Sequence, residues 1–456
     1  MMPARQAASP CRCRPRDPLR CRRDARIGSG SAQRRPLRST LMTDTPESTG
    51  RFASLAIPEF RRLWWGGVFV FLAMQTQQIA RSWLAYELTG TNTALGGVLI
   101  GFGVAGLVAI PTGGVLADRF AKRTILVTTQ LVNTATAVLI AVAIETSVIA
   151  YWMIVAASVV GGSTISVLAP ARMALSAEIV SRDGLTNPIM LGTMSAHVTR
   201  VVGPAVAGVM IGITVIGIEG VYWASAVLSL IAVVLSVTLP EGAPRSTRNA
   251  SPIEDLKEGI RYTRLEPELV RLLVMSLGVV MFGFAHQAFL PTVVADLFDR
   301  GAGGLGLLTT IAAVGAVITS IALANTPRKH LRTRQNAAAY LFGGAIILFA
   351  VMPNFGLALA AMFAVGCGMS AFQSLNGSLI MSSADIEYHG RVQSLIMLSY
   401  SAFGLAALPF GVIADRAGLR ETMVGMGVAV ILTVTHSIRW QRRIAATHTP
   451  GPLESL

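Results

Sequence analysis

The sequence predicts an all-α membrane protein, with twelve transmembrane helices arranged as two six-helix bundles around a central cavity. Composition points there first: 52% of the 456 residues are hydrophobic and 14% are charged, against about 25% charged in soluble domains. The mean hydropathy is +0.58. Second, the charges cluster between apolar runs instead of spreading along helical faces, the pattern of a chain that crosses a bilayer repeatedly. Third, the basic residues fall on one side of the predicted membrane. A soluble chain of this length would form about three domains, and this profile excludes it.

A helix needs about 20 apolar residues to cross the hydrocarbon layer. Such runs occur near 63–86, 94–117, 124–144, 149–170, 187–213, 220–239, 270–293, 303–325, 335–352, 356–380, 392–414 and 421–440. They are read as helices because lipid offers backbone groups no partners. With the amino terminus inside, alternate loops hold a long series of cations, from Arg119, Lys122 and Arg123 through Arg172, Arg261, Arg271 and Arg328 to Arg391. The opposite loops hold Arg300, Arg416 and Arg420. Both termini are then expected to be cytoplasmic, and the number of spans even.

The expected organisation is a tail and leader over 1–61, a first bundle over 62–240, a linker over 241–269, a second bundle over 270–440 and a tail over 441–456. In the linker, Ser251-Pro252-Ile253-Glu254 reads as a capping box with proline at the first helical position. Ile253, Leu256 and Ile260 then share one face, which predicts an amphipathic helix on the inner membrane surface. The bundles are faintly repetitive: 161–208 aligns with 366–413 and brings Pro204 over Pro409. Repeats of this kind place a site at the membrane midplane between two bundles.

The net charge of +14 is mostly local, because residues 1–41 hold eleven arginines against Asp17 and Asp24. It therefore gives no ground for a nucleic-acid partner. That segment lacks apolar periodicity and a secretory core, so it is expected to be unstructured, with translation starting at Met42. Cys11, Cys13 and Cys21 have no nearby histidine and Cys367 sits in an apolar run, so neither a metal site nor a disulfide framework is expected. No Gly-Lys-Ser/Thr phosphate cradle and no paired-histidine helix occurs, which argues against a cofactor, an enzyme or ATP-driven work.

Polar residues inside the apolar runs are the candidate functional positions. Gln75, Gln78 and Ser82 lie within a narrow arc of the first run, with Arg81 beside them. Arg81 either contributes to recognition or snorkels to the nearby surface. His197 and Arg200 share a helical face with Pro204 and Gly208. Arg200 either meets substrate or a coupling ion, or belongs to a structural buried pair. In the second half His286, Gln287, Gln373 and Asn376 are the comparable points; each is either interhelical glue or cavity lining. Together they outline a central cavity for a small molecule.

Two segments resemble motifs of the major facilitator superfamily. In the loop after the second run, Gly114, Leu116, Ala117, Asp118, Arg119, Lys122 and Arg123 fit its signature, and Ala121 stands where a second glycine is usual. In the fifth run, Gly203, Pro204 and Gly208 resemble the helix-bending Gly-Pro motif of superfamily exporters and antiporters. Segments 78–90, 170–185 and 256–262 are similar to the branch that includes the enterobactin exporter and macrolide efflux proteins. The resemblance spans about residues 55–440. It implies a gating contact at the Asp118 loop, where the other reading is a plain topological anchor. It also implies a monomeric exporter of a small amphiphilic molecule in a prokaryotic cytoplasmic membrane, coupled to proton entry. A lipid flippase of the same architecture and a non-transporting sensor or scaffold are the alternatives.

Overall fold

The computed structural model describes residues 53–180, 186–213, 215–242, 252–323, 330–385 and 388–447, and the regular elements in them are all helical. The predicted tail, Ser251 of the capping box, and the side chains of Gly114, Asp118 and Arg119 lie outside the described residues.

The first bundle comprises α1 (Pro58–Thr89), α2 (Asn92–Arg119), α3 (Lys122–Glu145), α4 (Tyr151–Ile179), α5 (Thr186–Gly212) and α6 (Gly217–Val237). Helix α7 (Pro252–Leu265) follows in the linker. The second bundle opens with α8 (Pro267–Gly283), which runs on through a 3-10 stretch (Phe284–Phe289), a single turn α9 (Leu290–Thr292) and a π turn (Val293–Leu297). It continues with α10 (Ala302–Leu323), α11 (Leu331–Val351), α12 (Phe355–Ser383), α13 (His389–Ala417) and α14 (Leu419–Thr447). Among the described residues, nine of these stretches are long and apolar enough to span a membrane by composition alone. Helices α1, α2 and α13 complete the twelve. Helix α1 has a low average hydropathy because its middle carries Gln75, Gln77, Gln78 and Arg81.

The helices run past the predicted apolar limits because polar residues at their ends continue the backbone ladder beyond the hydrocarbon layer. The α1–α2 corner turns at Gly90, whose φ of +61° is left-handed and whose N–H returns to the Tyr86 carbonyl. That closure ends a helix on a residue without a Cβ penalty.

The pairing of helices makes the internal repeat visible. In the first bundle α1 packs on α5 and α6, α3 on α4 and α6, and α2 on α4. In the second α8 packs on α13 and α14, α11 on α12 and α14, and α10 on α12. Each contact of one bundle thus has its counterpart in the other. The bundles meet through α2 with α13 and α5 with α10, pairs that the same correspondence exchanges.

One expectation is corrected: Arg271, placed by sequence in a loop, is fully buried in α8. The linker does carry a helix, α7; the side chains of Ile253 and Leu256 lie outside the described residues, and an adjacent face of α7 packs on α13, where Gly259 meets Arg391, Thr263 is buried, and Glu258 pairs with Arg391 at 2.9 Å. The Tyr262 ring stacks on Tyr388 at 3.9 Å between centroids, and its hydroxyl donates to Asp385 at 3.1 Å. An amphipathic face satisfies a protein neighbour as well as a membrane, and period alone does not choose between them.

Candidate functional site: a polar cavity between the bundles

Helices from both bundles enclose a cavity of about 280 Å³. From the first bundle it receives Gln75 and Gln78 of α1 and Arg200 and Pro204 of α5; from the second, His286, Gln287 and Gln373. Phe284, Met362, Met369 and Phe403 supply apolar wall. Most of the polar positions singled out along the sequence therefore converge on one space, with amides opposite a cation.

Local structure explains how they reach it. A Cβ on Gly203 would collide with the Cβ of Gln75. The missing side chain lets α5 press against α1 and set Gln75 at the cavity. Pro204 has no N–H, so it withholds a donor from the Arg200 carbonyl. The α-helix nevertheless continues past it to Gly212, and the glycines of this motif serve close approach. On the other side the 3-10 stretch breaks the α8 ladder beside the cavity. Irregular backbone at membrane depth is tolerated where protein or a cavity surrounds it, and here it carries His286 and Gln287. His286 Nδ1 lies 2.5 Å from the Gly283 carbonyl. A carbonyl only accepts, so Nδ1 carries the proton and Nε2 is left as an acceptor. Nε2 is buried and has no hydrogen-bond partner among the described residues.

Other predicted positions stand elsewhere. Asn376 is buried away from the cavity and accepts from Gln335 Nε2 at 2.6 Å, joining α12 to α11. His197 is half-buried on α5 and does not line the cavity. Arg81 does not snorkel; it is 8% exposed and lines a second, adjoining cavity of about 180 Å³. Of the loop after α2, Lys122 begins α3, is 1% exposed and pairs with Glu178 of α4 at 2.7 Å. Arg123 pairs with Glu241 at 2.6 Å and donates to the Leu239 carbonyl. Glu178 thus ties Lys122 to the first bundle, and Glu241 ties Arg123 to the start of the linker.

The bundles interlock at the end that carries the α1–α2 corner. Ideal Cβ atoms on Gly96 and Gly411 would each lie 2.5 Å from a backbone oxygen of the facing helix, Ala407 and Asn92 respectively. Asp415, at the last turn of α13, accepts from Asn92 N (2.8 Å), Asn92 Nδ2 (3.0 Å), Thr93 N (2.9 Å) and Thr93 Oγ1 (2.5 Å). One carboxylate thus satisfies exposed amides at the start of α2 across the two bundles, with the favourable sign for a helix N-terminus. Tyr86 adds a second crossing bond to Asp296.

Sequence reasoning missed Asp415. The signal was present: Gly411-Val412-Ile413-Ala414-Asp415-Arg416 repeats Gly114-Val115-Leu116-Ala117-Asp118-Arg119 with one conservative change. Asp415→Ala should loosen this end by about 1–2 kcal/mol, because these bonds go to a solvent-exposed carboxylate. Spin labels at Ser147 and Asn354 should report a larger long-distance population; an unchanged distribution would deny Asp415 any part in closure.

Twelve spanning helices in two pseudo-repeated bundles around a polar cavity define a membrane transporter. The sequence matches the Major Facilitator Superfamily over residues 63–404, and the chain belongs to that family. It is 24% identical to the staphyloferrin A transporter of Staphylococcus aureus, over 79% of this chain and 91% of that protein. It is 22% identical to macrolide efflux protein A of Streptococcus pyogenes, over 82% and 93%. It is 24% identical to the multidrug efflux pump Tap of Mycobacterium tuberculosis, over 59% and 65%. Among solved structures, a bacterial homologue of the human lysosomal transporter Spinster superposes with a TM-score of 0.70 at 13% identity, covering 87% of this chain and 98% of that one.

Proposed function

We propose that the protein exports a small amphiphilic molecule, of drug or siderophore type, across a prokaryotic cytoplasmic membrane by alternating access, with both termini cytoplasmic. The observation that carries this reading is the polar cavity between two bundles interlocked at one end. Under the positive-inside orientation that end is external, so the cavity belongs to a state closed to the outside. Two of the relatives are named for efflux, which favours export over uptake.

The driving ion in this reading is the proton. Neither cavity is lined by a carboxylate among the described residues. His286 is the imidazole that lines the larger cavity, and its Nε2, a buried acceptor without a partner among the described residues, is the atom placed to take a proton. Accumulation of a dye panel in inverted vesicles, with and without an imposed proton gradient, tests the proposal. Gradient-dependent uptake supports it, and movement of labelled lipid without any dye movement would favour a flippase. Arg200→Ala should lower transport of an anionic dye about tenfold, as expected for loss of one charge-assisted hydrogen bond. An unchanged rate would remove Arg200 from the site.

A further inference from the structure

The adjoining cavity contains a buried cation with no counter-ion among the described residues. A guanidinium has five N–H donors. In Arg81, Nε reaches the Gln77 carbonyl of its own helix at 3.4 Å and Nη1 reaches the Ala157 carbonyl at 3.2 Å. The remaining donors have no partner among the described residues. Yet the side chain is deeply buried, with 8% exposure. Gly161 makes the place for it: a Cβ there would lie 3.0 Å from Nη1. A charge removed from water and left with one good carbonyl contact is costly unless something else pairs with it.

The walls fit the same requirement. Ser82, Ser158, Gln78 and Gln287 accompany the guanidinium, while Phe102 and Phe403 close the apolar side. Gln78, Gln287 and Phe403 also line the larger cavity, so the two spaces adjoin. A ligand in the larger cavity can extend an acidic group into the smaller one.

We infer that Arg81 is a second anion-recognition point for the transported molecule, beside Arg200, and that the cargo is an amphiphile bearing a carboxylate or a group of like charge. The inference rests on the reading of the larger cavity as the substrate site. The guanidinium supplies unused donors in a water-poor space, where a bidentate carboxylate contact is strongest. The aromatic and aliphatic walls take the apolar part of the cargo.

Binding to the purified full chain in detergent tests this without relying on transport. Carboxyfluorescein and rhodamine 6G share a xanthene frame and differ in charge, and fluorescence anisotropy gives the affinity of each. The anionic dye should bind more tightly, and Arg81→Gln should weaken it roughly tenfold or more while leaving the cationic dye unchanged. Gly161→Ala, which displaces the guanidinium without removing it, should act in the same direction. The melting temperature should rise in Arg81→Gln, because a buried unpaired charge is gone, and carboxyfluorescein should stabilise the native chain but not the variant. Equal loss of both dyes with a lower melting temperature would make Arg81 a structural strut and overturn the inference. So would a native chain without preference for the anion, or full stabilisation by chloride in place of gluconate, which would assign the site to a free inorganic anion. Vesicle flux separates the two readings. Charge-selective binding without flux would sink the exporter and keep the anion point, and flux without charge selectivity would do the reverse.

Discussion

Gly208→Leu lowers transport at least about tenfold while the protein still reaches the membrane. The reason lies where α5 crosses α10. A Cβ on Gly208 would stand 2.6 Å from the Cα of Gly306, and one on Gly306 would stand 2.8 Å from the Pro204 carbonyl oxygen. Both contacts are with backbone, which cannot swing aside as a side chain does. Overpacking a tight contact costs about 1–3 kcal/mol, and about 1.4 kcal/mol is already tenfold in an equilibrium. Leucine adds three further carbons, so the closed end becomes rare and flux falls by at least about tenfold. Gly208→Ala should fall between the two. Val209→Leu, one residue on at a position 63% exposed, should transport normally. Wild-type flux in Gly208→Leu would show that this crossing plays no part in the cycle.

Glu268→Ala unfolds the second bundle at markedly lower temperature. Glu268 stands in the first turn of α8 and holds Arg271 through two bonds, Nε to Oε2 at 2.9 Å and Nη2 to Oε1 at 2.8 Å. Arg332 of α11 joins the same carboxylate at 3.3 Å, and Arg271 Nη1 donates to Ser437 Oγ of α14 at 2.7 Å. Three helices are thus tied through one acid. Removing it leaves a fully buried guanidinium with a single hydroxyl, and breaking a buried pair of this kind costs about 3–5 kcal/mol. Replacing both partners should recover most of the loss, because an apolar side chain needs no counter-ion. Thermal unfolding of Glu268→Ala, and of Glu268→Ala combined with Arg271→Met, measures this. If the single variant is as stable as the native chain, the cluster is not a staple.

The two arginines of α1 and α8 show what a sequence conceals. Arg81 and Arg271 look alike in a helical pattern: each is a cation near the end of an apolar run. Arg271 is neutralised three residues back by Glu268 and sits in a closed network, whereas Arg81 has backbone carbonyls and an adjoining cavity. Part of the difference is local, because Glu268 stands one helical turn before Arg271; the rest comes from neighbouring helices, α11 and α14 in one case and α4 in the other. Helical period contains the first part and not the second. Asn376 makes the same point from the other direction. It stands three residues beyond Gln373 on α12, but Gln335 of α11 takes its amide and the cavity does not receive it.

Alone, the sequence determined the solvent, the element type and the number of crossings. Those follow from short-range facts: about 20 apolar residues span the hydrocarbon, and backbone groups in lipid must bond within their own helix. It also determined which polar residues had to be explained, because burying Gln75, Gln78, Arg200 or His286 in a membrane needs a reason. Only the tertiary structure decided which of them share a space, which helices touch backbone to backbone, and that Asp415 ties one bundle to the other. Those outcomes depend on residues far apart in the chain, such as Asn92 and Asp415 or Gly208 and Gly306. Their meeting is set by how twelve helices pack rather than by what any one of them contains.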